Sequence, residues 1–254
     1  MKILIAGDTH RDVETISRVI CMARANECKQ ILQVGDFGYY PQDKYGQRFL
    51  ELASEELVAH DIELGFIDGN HDDHYSLKQI VADPEFVVEV APNIHYLPRG
   101  YAWNWNGVTF MGVGGAYSVD KSQRTPFIDW WPMETLSAGE TYQILENSPD
   151  SVDVLITHDV PSTCEPTMKM AGIRGGASWY SPTNEDLQHR AALGEIFQKV
   201  QPSMVFHGHW HAPYRGKVLL RDGSQCLVRG LGAFGDIQGI TKVLDLKRVP
   251  RKKV

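Results

Sequence analysis

Apolar runs alternate with amphipathic stretches in the first third of the chain. Residues 2–6, 31–34 and 62–67 are mainly apolar runs of strand length, and a glycine follows each of them within two residues. Between them, residues 12–26 and 43–59 carry apolar side chains at helical spacing. Strands that alternate with helices predict an α/β sheet with parallel strands.

From residue 94 the spacing of the apolar positions changes. Short strand-like runs up to residue 115 are broken by Asn106-Gly107, and Asp222-Gly223 separates two further runs. Both dipeptides are typical of the turn of a β-hairpin, so antiparallel strands are expected here. The other predicted elements are strands over 152–157, 204–206 and 240–246 and a helix over 184–200.

Two stretches, 116–133 and 159–183, fit neither pattern and are rich in Ser, Pro, Gly, Trp and Tyr. Long irregular loops in a compact domain usually bind a ligand or move. Because no repeat or low-complexity linker divides the chain, we expect one domain over residues 1–254. Its basic end, 247–254, is expected to be a frayed, solvated tail, with contact to an anionic partner as the alternative.

The composition is that of a globular protein. The chain has 254 residues, of which 43% are hydrophobic and 22% charged, which excludes disordered, collagen-like and coiled-coil chains. A formal net charge of −7 disfavours a general nucleic-acid coat. The four cysteines form no CxxC pair, so we expect buried free thiols in a reducing compartment. Because no apolar run suits a signal peptide or membrane span, we expect a cytoplasmic protein with no membrane partner.

Side chains that bind metals follow five of the predicted strands. They are Asp8 and His10, then Asp36, then Asn70 with His71 and Asp72, then His158, and finally His209 with His211. Ligands of parallel α/β sheets bind beyond the carboxyl ends of the strands, so these segments are expected at one rim. An extended backbone would point Asp8 and His10 the same way. Each segment alone is typical of an ordinary turn, but five such segments, each with metal-binding side chains after a strand, predict a metal site.

The remaining histidines are interpreted as ordinary polar residues of the fold. His207 is also assigned a structural role, apart from the ligand pair His209 and His211. The others stand alone in the sequence and are His60, His74, His95 and His189.

The motifs GDTH, GD, GNHD, H and GHWH, in this order over residues 8–211, resemble those of the calcineurin-like metallophosphoesterases. The resemblance implies a four-layer α/β/β/α sandwich with two mixed β-sheets. It also implies a site for two metal ions. By this resemblance, Asp8, His10 and His211 would hold one ion, Asn70, His158 and His209 would hold the other, and Asp36 would bridge them.

The chemistry of this ligand set can be stated independently of the resemblance. Nitrogen and oxygen ligands without thiolate suit Mn, Fe, Zn, Ni or Co, as divalent or mixed-valence pairs, and we favour manganese. Two cations about 3.5–4 Å apart can ionise a water between them, which would attack phosphorus directly without a phosphoenzyme. His71 would protonate or stabilise the leaving oxygen. Asp72 would orient His71 or only form a turn, and Asp159 would fix the tautomer of a ligand histidine.

The residues after Asp36 bear on the class of substrate. The protein phosphatase branch of the family carries an arginine shortly after the bridging aspartate, whereas here Phe-Gly-Tyr occupies 37–39. An apolar wall without arginine favours a phosphodiester over a monoester dianion. Lys121 or Arg124 would reverse this preference by reaching in from the long loop.

We therefore predict a dinuclear-metal phosphodiesterase that acts on a small phosphoester, with a cyclic nucleotide as one candidate. Aromatic residues in loops would either stack on a base or form a small secondary core under the loops. They are Tyr39, Tyr40, Trp130, Trp131, Trp179 and Tyr180. A broad phosphomonoesterase or a nuclease with the same metals remains an alternative. A non-catalytic scaffold is least favoured, because it has no need of His71. The acidic charge disfavours single-stranded nucleic acid as a partner, and the sequence leaves the oligomeric state open.

Overall fold

The computed structural model describes residues 1–173, 181–235 and 239–252, in which two six-stranded β-sheets lie face to face. The strands are β1 (Lys2–Ala6), β2 (Gln30–Gln33), β3 (Glu63–Phe66), β4 (Val88–Ala91), β5 (Ile94–Tyr96), β6 (Ala102–Trp105), β7 (Val108–Val113), β8 (Val154–Thr157), β9 (Met204–His207), β10 (Tyr214–Leu219), β11 (Gln225–Gly230) and β12 (Thr241–Asp245). The α-helices of these ranges are α1 (Val13–Ala25), α2 (Lys44–Ala59), α3 (His74–Ile80), α4 (Ala138–Asn147), α5 (Glu165–Met170) and α6 (Asn184–Val200).

Both sheets are mixed. The first has the order β12–β1–β2–β3–β5–β4, with the outermost strands antiparallel to their neighbours. The second has the order β10–β11–β9–β8–β7–β6, again with antiparallel edge strands. The parallel strands that precede the predicted ligands therefore lie in the interior of the two sheets.

Three apolar clusters produce four layers. Ile20 of α1 and Phe49 of α2 pack on the outer face of the first sheet. Ile5 of β1 and Phe206 of β9 belong to the cluster between the sheets. Phe197 of α6 packs on the outer face of the second sheet. The predicted α/β/β/α sandwich is confirmed, and within the described ranges no helix is long and apolar enough to cross a membrane.

Periodicity predicted the elements around the site better than the short elements elsewhere. The helix expected over 184–200 is α6, and both predicted hairpins form, as β6–β7 and β10–β11. The helix α5 lies inside the stretch 159–183 that was expected to be irregular, because its six residues are too few to show a helical period. The helix α4 begins with a capping box between Ser137 and Glu140, a signal that periodicity alone misses.

The expectation of a frayed basic tail is wrong for residues up to Lys252. Val249 is buried. The backbone N–H of Lys252 donates to Asp153 Oδ1 at 2.8 Å, and its Nζ lies 3.5 Å from Asp222 Oδ2. Acidic groups of the same chain thus attract the basic residues, and the last two residues lie outside the described ranges.

The four cysteines are free thiols, as expected. Cys28, Cys164 and Cys226 are buried, but Cys21 is exposed. The expectation of burial is wrong for Cys21 because it falls on the outer face of the amphipathic helix α1.

Candidate metal centre

The seven predicted ligands come together where the interior strands of both sheets end. The first sheet provides Asp8 and His10 after β1, Asp36 after β2 and Asn70 after β3, and the second provides His158 after β8 and His209 with His211 after β9. A β-bridge between Asp8 and Ala233 joins the segments that follow β1 and β11. The site therefore spans the interface between the two sheets.

The first ligand group combines two carboxylates with two imidazoles. One ligand atom from each of Asp8, His10, Asp36 and His211 lies within 4.8 Å of the others. His211 Nε2 is 3.1 Å from His10 Nε2 and 3.3 Å from Asp8 Oδ2. Asp36 Oδ2 is 3.6 Å from His10 Nε2. Nitrogen and carboxylate oxygen atoms at these distances can bind one cation together.

The second ligand group is built around Asn70. Asn70 Oδ1 lies 3.3 Å from His158 Nε2 and 3.0 Å from His209 Nδ1. Asp36 Oδ2 lies 3.3 Å from His158 Nε2. The same carboxylate oxygen of Asp36 therefore faces His10 in the first group and His158 in the second, which is the position of a bridging ligand.

Turns, not extended backbone, carry most of these ligands. His10, Asp36, His209 and His211 have φ values of 48°, 54°, 62° and 49°. This left-handed region is unfavourable for residues other than glycine. Residues held in it cluster at functional sites. The expectation that an extended backbone aligns Asp8 with His10 is therefore wrong, because the chain turns sharply at His10.

Two glycines allow the ligands to approach the neighbouring backbone. A β-carbon on Gly69 would overlap Asp36 Oδ1, and one on Gly208 would overlap Asp8 Oδ1. Glycine is the residue that permits such an approach. The glycines that precede Asn70 and His209 are therefore part of the site.

Burial and charge set the protonation of the ligands. Burial disfavours the carboxylate of Asp36, but the surrounding histidines, His158 first, outweigh burial and hold the pKa of Asp36 well below its usual range. Burial opposes a charge on His158 too, yet Asp36 raises the pKa of His158 to about 10. Burial lowers the pKa of His209 well below its ordinary value. The centre thus stabilises positive charge next to Asp36 and presents a neutral imidazole at His209.

This arrangement fits divalent cations. Asp8 Oδ1 is buried and has no hydrogen-bond partner within the described part of the chain. A buried carboxylate oxygen is costly unless it is hydrogen-bonded or binds a cation. His158 Nδ1 lies 2.9 Å from the Val34 carbonyl oxygen, which directs Nε2 toward the centre. Carboxylate, amide and imidazole ligands without thiolate suit Mn, Fe, Zn, Ni or Co.

His71 and Arg124 form a basic side of the centre. The backbone N–H of His71 donates to Asp36 Oδ1 at 2.6 Å, and its ring lies 4.9 Å from the ring of His10. Arg124 Nη2 lies 2.6 Å from Nε2 and 3.0 Å from Nδ1 of His71. Asp120 Oδ2 accepts from Arg124 Nε at 2.9 Å. The guanidinium reaches in from the long loop after β7, which is the alternative that the sequence left open for Arg124.

The pKa of His71 bears on its predicted role. Burial, together with the Arg124 charge, lowers the pKa of His71 to about 4, although Asp36 opposes the shift. The imidazole is therefore neutral near pH 7. His71 can act as the predicted proton donor only if the negative charge of a bound phosphoester raises this pKa.

Asp72 contacts backbone amides on both oxygens. Its Oδ1 accepts from the N–H groups of Gly38 and Tyr39 at 2.7 and 2.8 Å, and its Oδ2 accepts from Gly69 at 2.8 Å. These contacts tie the loop after β2 to the loop after β3. Of the two roles left open by the sequence, they support the turn and give no support to orientation of the His71 ring.

The segment after Asp36 packs in the hydrophobic core and does not line the site. Phe37 and Tyr39 are buried in the cluster under α1 and α2, and the Phe37 ring stacks on Phe66 with centroids 4.7 Å apart. The apolar wall expected from these residues is therefore absent from the site. The left-handed turn at Asp36 directs the following side chains into the core.

Asn70 has a second contact that periodicity could not reveal. Its Nδ2 donates to Ser118 Oγ at 3.1 Å, and Ser118 Oγ donates to Glu134 Oε2 at 2.6 Å. All three side chains are buried. The long loop after β7 thus fixes the orientation of the Asn70 amide, with Oδ1 toward the histidines.

The other aromatic and acidic predictions have different outcomes. Trp131 is buried, and the Tyr40 ring lies 5.5 Å from it. Asp159 Oδ1 accepts from Trp210 Nε1 at 2.7 Å, so this contact gives no support to the predicted hydrogen bond with a ligand histidine. Trp179 and Tyr180 lie outside the described residues.

Phe234 is a residue of the site that sequence reasoning missed. Its side chain is 51% exposed, and its ring lies 5.3 Å from the ring of His10. Its backbone N–H donates to the Asp8 carbonyl oxygen at 2.9 Å. An exposed phenylalanine beside a predicted metal ligand offers a surface for an apolar or aromatic part of a substrate.

Comparison with known proteins places the chain in a family. Residues 1–213 match the calcineurin-like phosphoesterase family, a range that includes all seven predicted ligands and His71. The chain belongs to the calcineurin-like phosphoesterase family. The class of metallophosphoesterase predicted from the motifs is confirmed.

Curated relatives are lariat debranching enzymes. The enzyme of Drosophila pseudoobscura pseudoobscura is 26% identical over 241 residues, which are 86% of this chain and 44% of the relative. The enzyme of Homo sapiens is 21% identical over 237 residues, which are 84% of this chain and 42% of the relative. The chain thus spans less than half the length of these relatives.

A solved structure confirms the architecture. The crystal structure of a Thermus thermophilus protein, TT1561, aligns with a TM-score of 0.52 and 12% sequence identity. The alignment covers 96% of this chain and 98% of that chain. At this identity the likeness shows the fold alone.

Proposed function

We propose that this protein is a phosphoric diester hydrolase that works with two divalent cations, manganese being favoured. The position of Asp36 Oδ2 carries the proposal, because it lies 3.6 Å from His10 Nε2 and 3.3 Å from His158 Nε2. Such a shared oxygen is expected where two cations share a ligand. When bound, the cations would activate water and polarise the phosphoryl group.

The chain's own residues bind and orient the phosphate. The Arg124 side chain, 9% exposed and held by Asp120, donates to a non-bridging phosphoryl oxygen. His71, 2.6 Å from Arg124, stands beside the leaving oxygen. Hydrolysis forms a bond from water oxygen to phosphorus and breaks one ester bond, and His71 stabilises or protonates the departing oxygen.

Arg124 reaches the site, which by itself would favour a monoester, but two other observations favour a diester. Asp120 lies 2.8 Å from Arg124 and neutralises much of the guanidinium charge beside His71. A monoester carries about −1.5 to −2 charges near pH 7, and a diester carries one. Phe234 offers an exposed surface for an organic group on the phosphorus, as in a cyclic nucleotide.

A nuclease-like activity is the second candidate. The observation that favours it is the similarity to lariat debranching enzymes, whose name indicates a branch point within a longer molecule. The same two ligand groups would serve either substrate.

The test compares kcat/KM for bis-p-nitrophenyl phosphate and p-nitrophenyl phosphate with Mn²⁺ at one pH. We expect the diester to be preferred by at least about 10-fold, since it needs less cationic charge at the site. A preference for the monoester would overturn the diester assignment and leave the two-cation site standing. If the protein binds two Mn²⁺ ions but hydrolyses none of the compounds in the panel, the hydrolase proposal itself is wrong. Cyclic nucleotides and single-stranded DNA in the same panel separate the two candidates.

A further inference from the structure

A cationic groove, defined by Arg215, Lys217 and Arg229, runs along the hairpin β10–β11. The strand β10 is the edge of the second sheet, and the register places Arg215 directly opposite Arg229. Lys217 projects from the same face two residues further along β10. The groove has a volume of about 690 Å³, and Thr167 and Met170 of α5 also line it.

The three cations lack counterions among the residues that the structure describes. In the part of the chain that the structure describes, no carboxylate pairs with them, and Glu165 of α5 is held by Lys169 and Arg190 at 2.8 and 3.0 Å. Like charges directly opposite each other on antiparallel strands destabilise a hairpin. Burial and the neighbouring Arg215 also lower the pKa of Arg229. An unneutralised cluster of this kind, in a chain with a net charge of −7, indicates an anionic ligand.

The groove lies close to the candidate metal centre. The chain runs from Arg229 to Ala233, which forms a β-bridge with Asp8. Four residues span at most about 14 Å, so Arg229 is within a few nucleotides of the centre. The next residue, Phe234, is exposed beside His10. A short segment of chain thus connects an aromatic surface at the centre with the cations of the groove.

We propose that the cationic groove binds the phosphate backbone of a single-stranded nucleic acid whose scissile diester lies at the metal centre. The inference rests on the proposed diesterase function and names its substrate class. A base of the strand stacks on Phe234, and the groove holds phosphates outside the reacting one. Stacking surfaces next to positive grooves are typical of proteins that bind single strands. The acidic charge of the whole chain does not oppose this, because the cations are concentrated locally.

Fluorescence anisotropy with phosphorothioate oligothymidylates of 4 and 12 nucleotides tests the groove in the full chain with Mn²⁺. We compare wild type with Arg215→Glu/Arg229→Glu. The matched control is Arg18→Glu/Arg48→Glu, which makes the same charge change on α1 and α2. We expect the groove variant to bind the 12-mer at least about 10-fold more weakly and the control to bind like wild type.

The dependence on salt adds a second readout. Each phosphate contact on a single strand contributes about 0.7 to the slope of log K against log salt. Loss of two contacts should therefore lower the slope by about 1.4. Phe234→Ala should weaken binding of the 4-mer by about 5- to 100-fold, as expected for loss of one stacked base.

Several results would overturn the proposal that the groove binds a nucleic acid. These are a 12-mer that wild type does not bind at 50 mM salt, an unchanged slope in the groove variant, an equal loss in the control, or equal competition by a polyglutamate peptide. Hydrolysis of bis-p-nitrophenyl phosphate, which is too small to reach the groove, should stay within 2-fold of wild type in the groove variant. If wild type does not hydrolyse this compound but binds the 12-mer, the diesterase proposal fails and the groove remains.

Discussion

The most exposed side chain of the first ligand group is more open to solvent than any of the second, in which only His209 is partly exposed. In the first group the side chains of His211 and His10 are 46% and 14% exposed. In the second, His158 is 0% and Asn70 is 2% exposed. We call the first group the open half and the second the closed half. If the proposed cations bind, we expect the open half to exchange its ion and face the substrate, and the closed half to hold its ion more tightly.

The two halves also differ in how their ligands are supported. In the second group, His158 Nδ1 lies at the Val34 carbonyl, and Asn70 donates to Ser118. Such contacts fix the ring or amide and strengthen metal binding. Left-handed turns occur in both groups, at His10 and His211 in the first and at His209 in the second, so the turns themselves do not distinguish the halves.

The largest effect is expected from Asp36→Asn, because Asp36 belongs to both halves. Activity should fall by more than about 100-fold, the upper range for groups that only support metal ligands. Metal analysis after dialysis should show loss from both groups. Full occupancy by two ions with near-normal turnover would contradict the bridging position.

A pair of variants separates the halves. His158→Ala should abolish tight binding of the ion in the closed half, whereas His211→Ala should lose only the ion of the open half on dialysis. Titration with Mn²⁺ followed by calorimetry measures both sites. Equal loss in the two variants would remove the distinction between the halves.

His71→Ala tests the open half without removing a ligand. Turnover should fall by about 10²–10⁴-fold on diesters with poor leaving groups, since general-acid catalysis contributes this much. The loss should be smaller for p-nitrophenolate, which leaves without a proton, while metal content stays at the wild-type level. An equal loss for good and poor leaving groups would argue against the leaving-group role.

The smallest effect is expected from Ser118→Ala, which removes the support of Asn70 in the closed half. The affinity for the Mn²⁺ ion of the closed half should fall by about 10-fold, the lower end of the range for contacts that support a metal ligand. Ser76→Ala is the control, because Ser76 Oγ bonds Asp73 on α3 away from the ligands. If the variant instead lowers the affinity for the Mn²⁺ ion of the open half, Ser118 supports the first ligand group and the assignment made here is wrong.

The sequence predicted which side chains meet at the candidate centre, because they follow long-range regularities. Apolar strands placed Asp8, Asp36 and His158 at one rim, and family motifs supplied their grouping. What it could not predict depends on contacts between distant segments. Phe234 joins His10 through the bridge at Asp8. Arg124, which the sequence offered only as an alternative beside Lys121, reaches His71 from 53 positions away.

Local conformation was the other source of error. Spacing of two residues suggested that Asp8 and His10 share a face of an extended chain, but φ at His10 is 48°. The same turn geometry at Asp36 sent Phe37 into the core. Backbone conformations of this kind are fixed by the packing of the finished site and leave no periodic signal in the sequence.

The left-handed turns have a consequence for protein design. Each such residue costs of order 1–3 kcal/mol unless its surroundings hold it in place. A designer who grafts these histidines and aspartates onto regular strand ends would obtain the right side chains aimed in wrong directions. The transferable unit is the turn with its preceding glycine, as at Gly208 before His209, and a host scaffold must have stability to spare for it.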